Sequence, residues 1–143
     1  NVVLNSIAQG AFNVVVKDSS GNACGMHAVS TGFYQKVGNM VTITCAALVN
    51  DTTGVTVSDG AVFTGLPYTT HATSSQAQGV GAVRIQRADF DNRYLVARTE
   101  LNTNEFLIED QNSDITTYND PLTITELTAH SSTQVNVSFS YFV

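Results

Sequence analysis

Arginine side chains are concentrated in one short stretch of the chain, and they are the first candidates for binding chemistry. Four of the six basic residues lie within fifteen consecutive positions: Arg84, Arg87, Arg93 and Arg98. A guanidinium fork matches the two oxygens of a carboxylate, so this cluster could hold an acidic sugar or another carboxylate. Acidic residues also lie inside the cluster and after it: Asp89, Asp91, Glu100, Glu105, Glu109, Asp110, Asp114 and Asp120. Ion pairing between these neighbouring segments is the competing interpretation, and the sequence favours it.

A second candidate for ligand contact is the polar stretch of residues 69–78, which has no apolar period. It is predicted to be an exposed loop, and binding residues occur preferentially on loops. Its candidate contact residues are His71, Ser74 and Gln76. Together with the four arginines they form the predicted binding set.

Patterns typical of catalysis or metal binding are missing from the sequence. The three histidines, His27, His71 and His130, are far apart and show no metal-ligand spacing. Residues 89–92 (Asp-Phe-Asp-Asn) offer oxygen ligands but lack the glycine and distal glutamate of a calcium loop. There is no phosphate-binding loop and no serine nucleophile elbow. We therefore expect no catalytic residues, no metal site, no cofactor and no enzymatic activity.

Alternating apolar and polar residues predict a chain built from short strands. Candidate strands occupy residues 2–7, 11–17, 24–30, 33–37, 40–49, 61–66, 80–86, 94–99, 106–108, 122–125 and 134–143, with one possible helical turn at 88–93. This spacing is typical of an all-β fold, an antiparallel β-sandwich or jelly roll. A barrel formed by a single subunit is the alternative.

Two of these runs make more specific predictions. In residues 134–143, Val135, Val137, Phe139, Tyr141 and Val143 all point one way, and a terminal strand with so large an apolar face should lie centrally in a sheet. Residues 40–49 are apolar on both faces. We expect that strand to be covered by a second sheet and by a neighbouring subunit.

The composition indicates one domain that associates with copies of itself. Residues 1–143 are 43% hydrophobic but only 13% charged, where about 25% is usual. A surface with so little charge can be buried at low cost. The net charge of −6 disfavours nucleic-acid binding. No apolar run approaches the ~20 residues of a membrane span, and Cys24 and Cys45 are expected to be buried free thiols.

The stretch from Gly32 to Tyr68 gives the most specific signal. Residues 32–44 read Gly-Phe-Tyr-Gln-Lys-Val-Gly-Asn-Met-Val-Thr-Ile-Thr, which predicts a tight hairpin at Gly38-Asn39. Residues 65–68 read Gly-Leu-Pro-Tyr, and the chain ends in Tyr-Phe-Val. In the sequence of these segments the chain resembles the C-terminal tip domains of bacteriophage tail fibres, spikes and needles. It looks most like the C-terminal knob of the tail needle of short-tailed enterobacterial phages.

The resemblance implies a specific role. Residues 1–143 would be a single knob domain, the C-terminal fragment of a longer tail protein, folded as a tumour-necrosis-factor-like jelly roll and assembled as a homotrimer. It would sit at the tail tip of the virion, joined through an upstream shaft to the rest of the tail machine. There it would contact an outer-membrane component or lipopolysaccharide of the host during attachment and genome ejection.

Two alternatives to the needle knob remain from the sequence. The first is a tail-fibre domain that binds the carbohydrate of lipopolysaccharide. The second is a domain that follows a polysaccharide-degrading spike, with the catalysis upstream. The resemblance transfers no catalytic residues, and it assigns Gly38-Asn39 and residues 65–67 to structural turns.

Overall fold

A computed structural model describes residues 7–73, 77–86, 94–111 and 120–143. The fold is all-β and antiparallel, as predicted. The candidate helical turn at 88–93 and residues 2–6 of the first candidate strand lie outside these ranges. The described elements are β1 (Ile7–Asn13), β2 (Val15–Lys17), β3 (Gly25–Met26), β4 (Thr31–Val37), β5 (Met40–Ala47), β6 (Val49–Asp51), β7 (Val62–Thr64), β8 (Val80–Gln86), β9 (Leu95–Thr99), β10 (Glu105–Asp110), β11 (Asp120–Pro121), α1 (Ile124–Thr128) and β12 (Gln134–Phe142).

One sheet of nine consecutive neighbours, in the order β1-β4-β5-β12-β8-β9-β10-β7-β2, nearly closes on itself. Its two end strands, β1 and β2, are consecutive in the chain and separated only by Val14, whose N–H donates to the carbonyl of Ser30 at 2.9 Å. The molecule is therefore barrel-like and not a clear sandwich, which corrects the preferred prediction in favour of its alternative. Closure in this way leaves few free strand edges.

The core fills the interior of this sheet with aromatic and branched side chains. Phe63 stacks on Phe106 with ring centroids 5.0 Å apart, and Phe139 meets Phe106 edge-on at 5.3 Å. Tyr141 continues the series, and its hydroxyl donates to the carbonyl of Tyr68 at 3.1 Å. Burial raises the pKa of Tyr141. The aromatic chain thus links strands from distant parts of the sequence.

Two sequence predictions about individual strands are confirmed. β12 lies between β5 and β8, and it buries Val135, Val137, Phe139 and Tyr141 on one side. The β4–β5 hairpin turns at Gly38 and Asn39, with Val37 paired to Met40. Gly38 has a φ of +59°, and it is the only turn residue of the two with positive φ. That arrangement matches a type II′ turn, which places glycine first.

The predicted strand at residues 122–125 is wrong. Only Asp120–Pro121 pair as a strand there, and the chain then enters α1. Thr123 caps this helix by accepting from the N–H of Glu126 at 3.2 Å, while the Glu126 carboxylate accepts from the Thr123 N–H at 2.8 Å. This capping box explains why the apolar residues Ile124 and Leu127 turn into the core along a helix. Across the described ranges, no helix is long and apolar enough to cross a membrane.

The segment of residues 24–30 is also less regular than predicted, since only Gly25–Met26 form a strand. Cys24 and Cys45 are free and buried, as expected. Burial raises the pKa of the Cys45 thiol to about 12, so it remains protonated at neutral pH.

A buried carboxylate organises the loop after β2. Asp18 is 2% exposed, and its two oxygens accept from the backbone N–H groups of Ser20, Asn22 and Thr56 at 2.8–3.0 Å. The side-chain amide of Asn22 donates to it as well. These donors, led by the Thr56 N–H, lower the pKa of Asp18 to about 2 despite the opposing effect of desolvation. The ionised carboxylate therefore joins two loops that are far apart in sequence.

This carboxylate predicts an acid-sensitive fold. Because the pKa of Asp18 is about 2 in the folded chain and about 3.9 in an unfolded one, its stabilisation is complete above pH 4 and is lost as pH falls towards 2. Urea unfolding at pH 7, 4 and 2 should show a drop in the free energy of unfolding within the lower interval. The Asp18→Asn variant should be less stable at pH 7 and should show a smaller drop. An equal drop in both proteins would contradict this role.

Candidate functional site

The outward side of the sheet is free of charge across four neighbouring strands. Side chains on β1, β4, β5 and β12 alternate between the core and the outside. We call the outward set the uncharged face, and it consists of Ile7, Gln9, Ala11, Asn13, Thr31, Phe33, Gln35, Val37, Met40, Thr42, Thr44, Ala46, Gln134, Asn136, Ser138, Ser140 and Phe142. None of these side chains is charged, although the chain has a net charge of −6.

One edge of the uncharged face is an apolar row, which we define as Ile7, Val37, Met40 and Phe142. Strand pairing places these four residues side by side across β1, β4, β5 and β12. Their exposed fractions are 55%, 41%, 43% and 47%. The predicted cover over the second face of β5 is therefore not supplied within one subunit. An apolar strip that remains open to water in this way is typical of an interaction surface.

Two shallow depressions lie further along the same side of the sheet. One has a volume of about 240 Å³ and lies between Phe33 and Ser138, and the other has a volume of about 220 Å³ and lies between Ser138 and Arg84. They meet at Thr44 and Ser138, which line both. We call the outward side chains of the two depressions the polar strip: Phe33, Gln35, Thr42, Thr44, Ser138, Asn136 and Arg84.

Hydrogen-bond donors at one end of the polar strip lack partners. The Asn136 carbonyl oxygen accepts from the side-chain amide of Gln134 at 3.1 Å, which orients its nitrogen away from that neighbour. The Asn136 nitrogen Nδ2 is buried and has no hydrogen-bond partner. Arg84, directly across the strand pair from Asn136, is exposed. This end of the strip therefore favours a ligand that supplies acceptor oxygens.

The other described arginine of the predicted set is already paired. The Arg98 guanidinium donates to Oε1 of Glu109 through Nε at 3.0 Å and through a terminal nitrogen at 2.6 Å. It also lies 2.9 Å from the Glu100 carboxylate. Glu109 raises the pKa of Arg98 through this hydrogen bond. For Arg98, the structure shows the ion pairing between neighbouring segments that the sequence favoured.

The remaining predicted contact residues are not brought together in one place. His71 is exposed at the end of β12, where its backbone N–H donates to the carbonyl of Phe142 at 2.9 Å. Ser74, Gln76, Arg87 and Arg93 lie outside the described residues. Of the described members of the predicted set, only Arg84 lines the polar strip.

The sequence analysis missed the other members of the strip, although two signals pointed to them. Phe33 and Tyr34 are consecutive in a strand, so one of the two rings had to face outward, and Phe33 does so with 67% exposure. Asn136 and Ser138 occupy the polar side of the alternation in β12. Their proximity to Arg84 follows only from the pairing of β12 with β8, which local sequence does not specify.

Within the described ranges, no group of three or more His, Cys, Asp and Glu side chains is placed to hold a metal ion. Comparison of the chain with protein-family models, with curated proteins and with solved structures finds no match.

Proposed function

We propose that this domain is the structural, adhesive tip of a phage tail needle, which contacts the host cell envelope during attachment and genome ejection. It is not an enzyme in this proposal, and it acts as a homotrimer of the tumour-necrosis-factor-like kind at the tail tip of the virion. The observation that carries the proposal is the uncharged face with its exposed apolar row. The sequence resemblance supplies the phage context.

The charge distribution supports self-association. Three chains that each carry −6 repel one another less strongly when the surfaces that meet are free of charge. The edge of the uncharged face that carries the apolar row satisfies that condition. The apolar row adds four large side chains whose removal from water would stabilise the contact, at about 25 cal/mol per Å² of apolar surface.

The engagement of two buried acids supports a role without catalysis. Asp18 is held by backbone amides and Glu109 by Arg98, so each of these two carboxylates serves to join segments of the fold. Neither lines the depressions of the polar strip. A domain of this kind acts by presenting a rigid surface, with partners reached through the upstream shaft on one side and the cell envelope on the other.

A tail-fibre domain that recognises the carbohydrate of lipopolysaccharide is the second candidate function. The observation that favours it is the polar strip, which combines the exposed ring of Phe33 with neutral hydrogen-bonding groups and the exposed cation of Arg84. Both candidate functions involve contact with the cell envelope. They differ in the tail structure that makes this contact, a needle in the first and a fibre in the second.

Light scattering tests the self-association. The natural chain should have a mass of about 46 kDa, three times its 15.3 kDa, and Val37→Asp should reduce it to that of one chain, because each trimer would have to bury three new carboxylates. Val57→Asp is the matched control, since Val57 has 38% exposure, against 41% for Val37, and lies in the loop after β6. It should remain trimeric.

Three outcomes would count against the proposal. A natural chain that stays monomeric at all concentrations overturns the trimer, and a trimeric Val37→Asp variant removes the apolar row from the interface. The same samples test the envelope contact, since the trimer should co-sediment with enterobacterial outer-membrane vesicles and not with phosphatidylcholine vesicles. Equal sedimentation with both would overturn that part.

A further inference from the structure

The polar strip has the dimensions of a site for a short chain of linked groups. It crosses four strands, β4, β5, β12 and β8, from Phe33 to Arg84. Neighbouring strands are about 4.8 Å apart, so the strip is about 14 Å wide. Its two depressions, of about 240 and 220 Å³, are continuous through Thr44 and Ser138. A ligand could therefore occupy both at once.

One end of the strip is an aromatic platform. Phe33 is 67% exposed, and its cross-strand neighbours on the outer side are Ala11 and Thr44. Both neighbours are small, so the faces of the ring are open to a ligand. An aromatic face offers apolar contact together with a negative quadrupole, which suits the C–H groups of a flat ligand.

The other end of the strip supplies donors and a positive charge. Arg84 is exposed, and no carboxylate among the described residues lines either depression. The Asn136 side chain lies across the strand pair from Arg84. The Thr44 and Ser138 hydroxyls, which can donate or accept, lie between the two ends. The strip thus presents apolar contact, neutral hydrogen bonding and an anion contact in that order.

We propose that the polar strip binds an acidic oligosaccharide. One sugar ring stacks on Phe33, the hydroxyls of the sugar bond Thr44 and Ser138, and a carboxylate or phosphate on the next ring is held by Arg84. The inference rests on the proposed tip function only for the source of the sugar, which is the cell envelope. The site itself stands on the geometry of the strip.

Two other occupants fit the strip less well. A second copy of the chain would have to bury Arg84 together with the unpaired amide, and it has the apolar row as a surface without that cost. Nucleic acid needs several cations to contact successive phosphates, whereas Arg84 is the single cation that lines the described strip. A ligand with one acidic group and several hydroxyls matches the single cation and the neutral polar side chains of the polar strip.

Titration calorimetry with three soluble sugars tests the proposal: trigalacturonic acid for a carboxylate, mannose 6-phosphate for a phosphate, and neutral maltotriose. We expect trigalacturonic acid or mannose 6-phosphate to bind more tightly than about 1 mM and at least tenfold more tightly than maltotriose. Whichever acid binds identifies the anionic group. Equal affinities for all three sugars, or no binding, would overturn the proposal.

Matched variants locate the binding. Arg84→Gln should weaken binding of the acidic sugar about tenfold, the loss of one charged hydrogen bond, while Lys17→Gln, which removes the same charge from β2, should not. Phe33→Ser should weaken it similarly, with Tyr94→Ser as the control because Tyr94 is 76% exposed outside the strip. If the control variants lose as much affinity as the strip variants, the site is elsewhere.

The masses of the same samples separate this inference from the proposed function. A trimer that binds none of the three sugars would overturn the sugar site and leave the trimeric tip intact. A monomer that binds the acidic sugar through Arg84 would do the reverse.

Discussion

Replacing Arg98 with methionine is expected to lower the free energy of unfolding by about 3–5 kcal/mol, because it would leave a buried carboxylate without its cation. Glu109 is 2% exposed, and Arg98 gives it two hydrogen bonds, at 3.0 and 2.6 Å. Methionine retains most of the apolar stem of arginine, so packing changes little. Guanidinium chloride unfolding of the natural chain and of the variant measures the difference.

The second carboxylate on the same guanidinium provides the control. Glu100 lies 2.9 Å from Arg98, but its side chain is 37% exposed. Glu100→Gln should therefore cost less than about 1 kcal/mol, as is usual for pairs in contact with water. A double variant, Arg98→Met with Glu109→Gln, should recover much of the loss. If Arg98→Met costs no more than Glu100→Gln, the Arg98–Glu109 pair does not anchor β9 to β10.

The second large effect is expected at Gly65, where the sheet closes on itself. Gly65 has a φ of +113°, and a Cβ placed on it would lie 2.0 Å from the carbonyl oxygen of Asn13, at the junction of β1 and β2. Gly65→Ala should lower the free energy of unfolding by about 3 kcal/mol or more, since backbone strain and steric overlap add. Thermal unfolding and soluble yield provide the readouts.

Gly38 is the matched control for this substitution. Its φ of +59° is also positive, but a Cβ there would meet no atom within 4 Å. Gly38→Ala should therefore cost only the conformational strain, about 1–2 kcal/mol. Equal losses in the two variants would mean that close approach to Asn13 contributes nothing and that the junction tolerates a side chain.

Local patterns predicted the elements of this fold better than their arrangement. The alternation in β12 and the glycine of the β4–β5 turn are written in adjacent residues, and both predictions are confirmed. Residues 122–125 were too few to distinguish a strand from a helix by periodicity. The capping pair Thr123 and Glu126 is the signal in the sequence that distinguishes a helix from a strand here.

The choice between sandwich and barrel depended on a contact between distant segments. A sandwich and a barrel show the same alternation along each strand. What closes the sheet is the break at Val14: β1, before it, pairs with β4, whereas β2, after it, pairs with β7, about fifty positions later in the chain. No property of residues 11–17 alone predicts that change of partner.

The candidate site shows the same division. Arg84 could be found from the sequence because its charge is rare in this chain. Phe33, Thr44 and Asn136 join it only through the registers of three strand pairs. Arg98 belongs to the same arginine cluster in the sequence as Arg84, but the pairing of β9 with β10 places its guanidinium against the Glu109 carboxylate. Residue type identified Arg84 and Arg98 as candidates for ligand binding, and strand register determined which of the two lies in the polar strip.

The central position of β12 constrains how the domain can form during synthesis. Its two neighbours, β5 and β8, both precede it in the chain. The middle of the sheet therefore cannot form before β12, the last described strand, has left the ribosome. The apolar sides of β5 and β8 remain exposed to water until then. Folding is therefore governed by contacts between remote segments, which makes it slow.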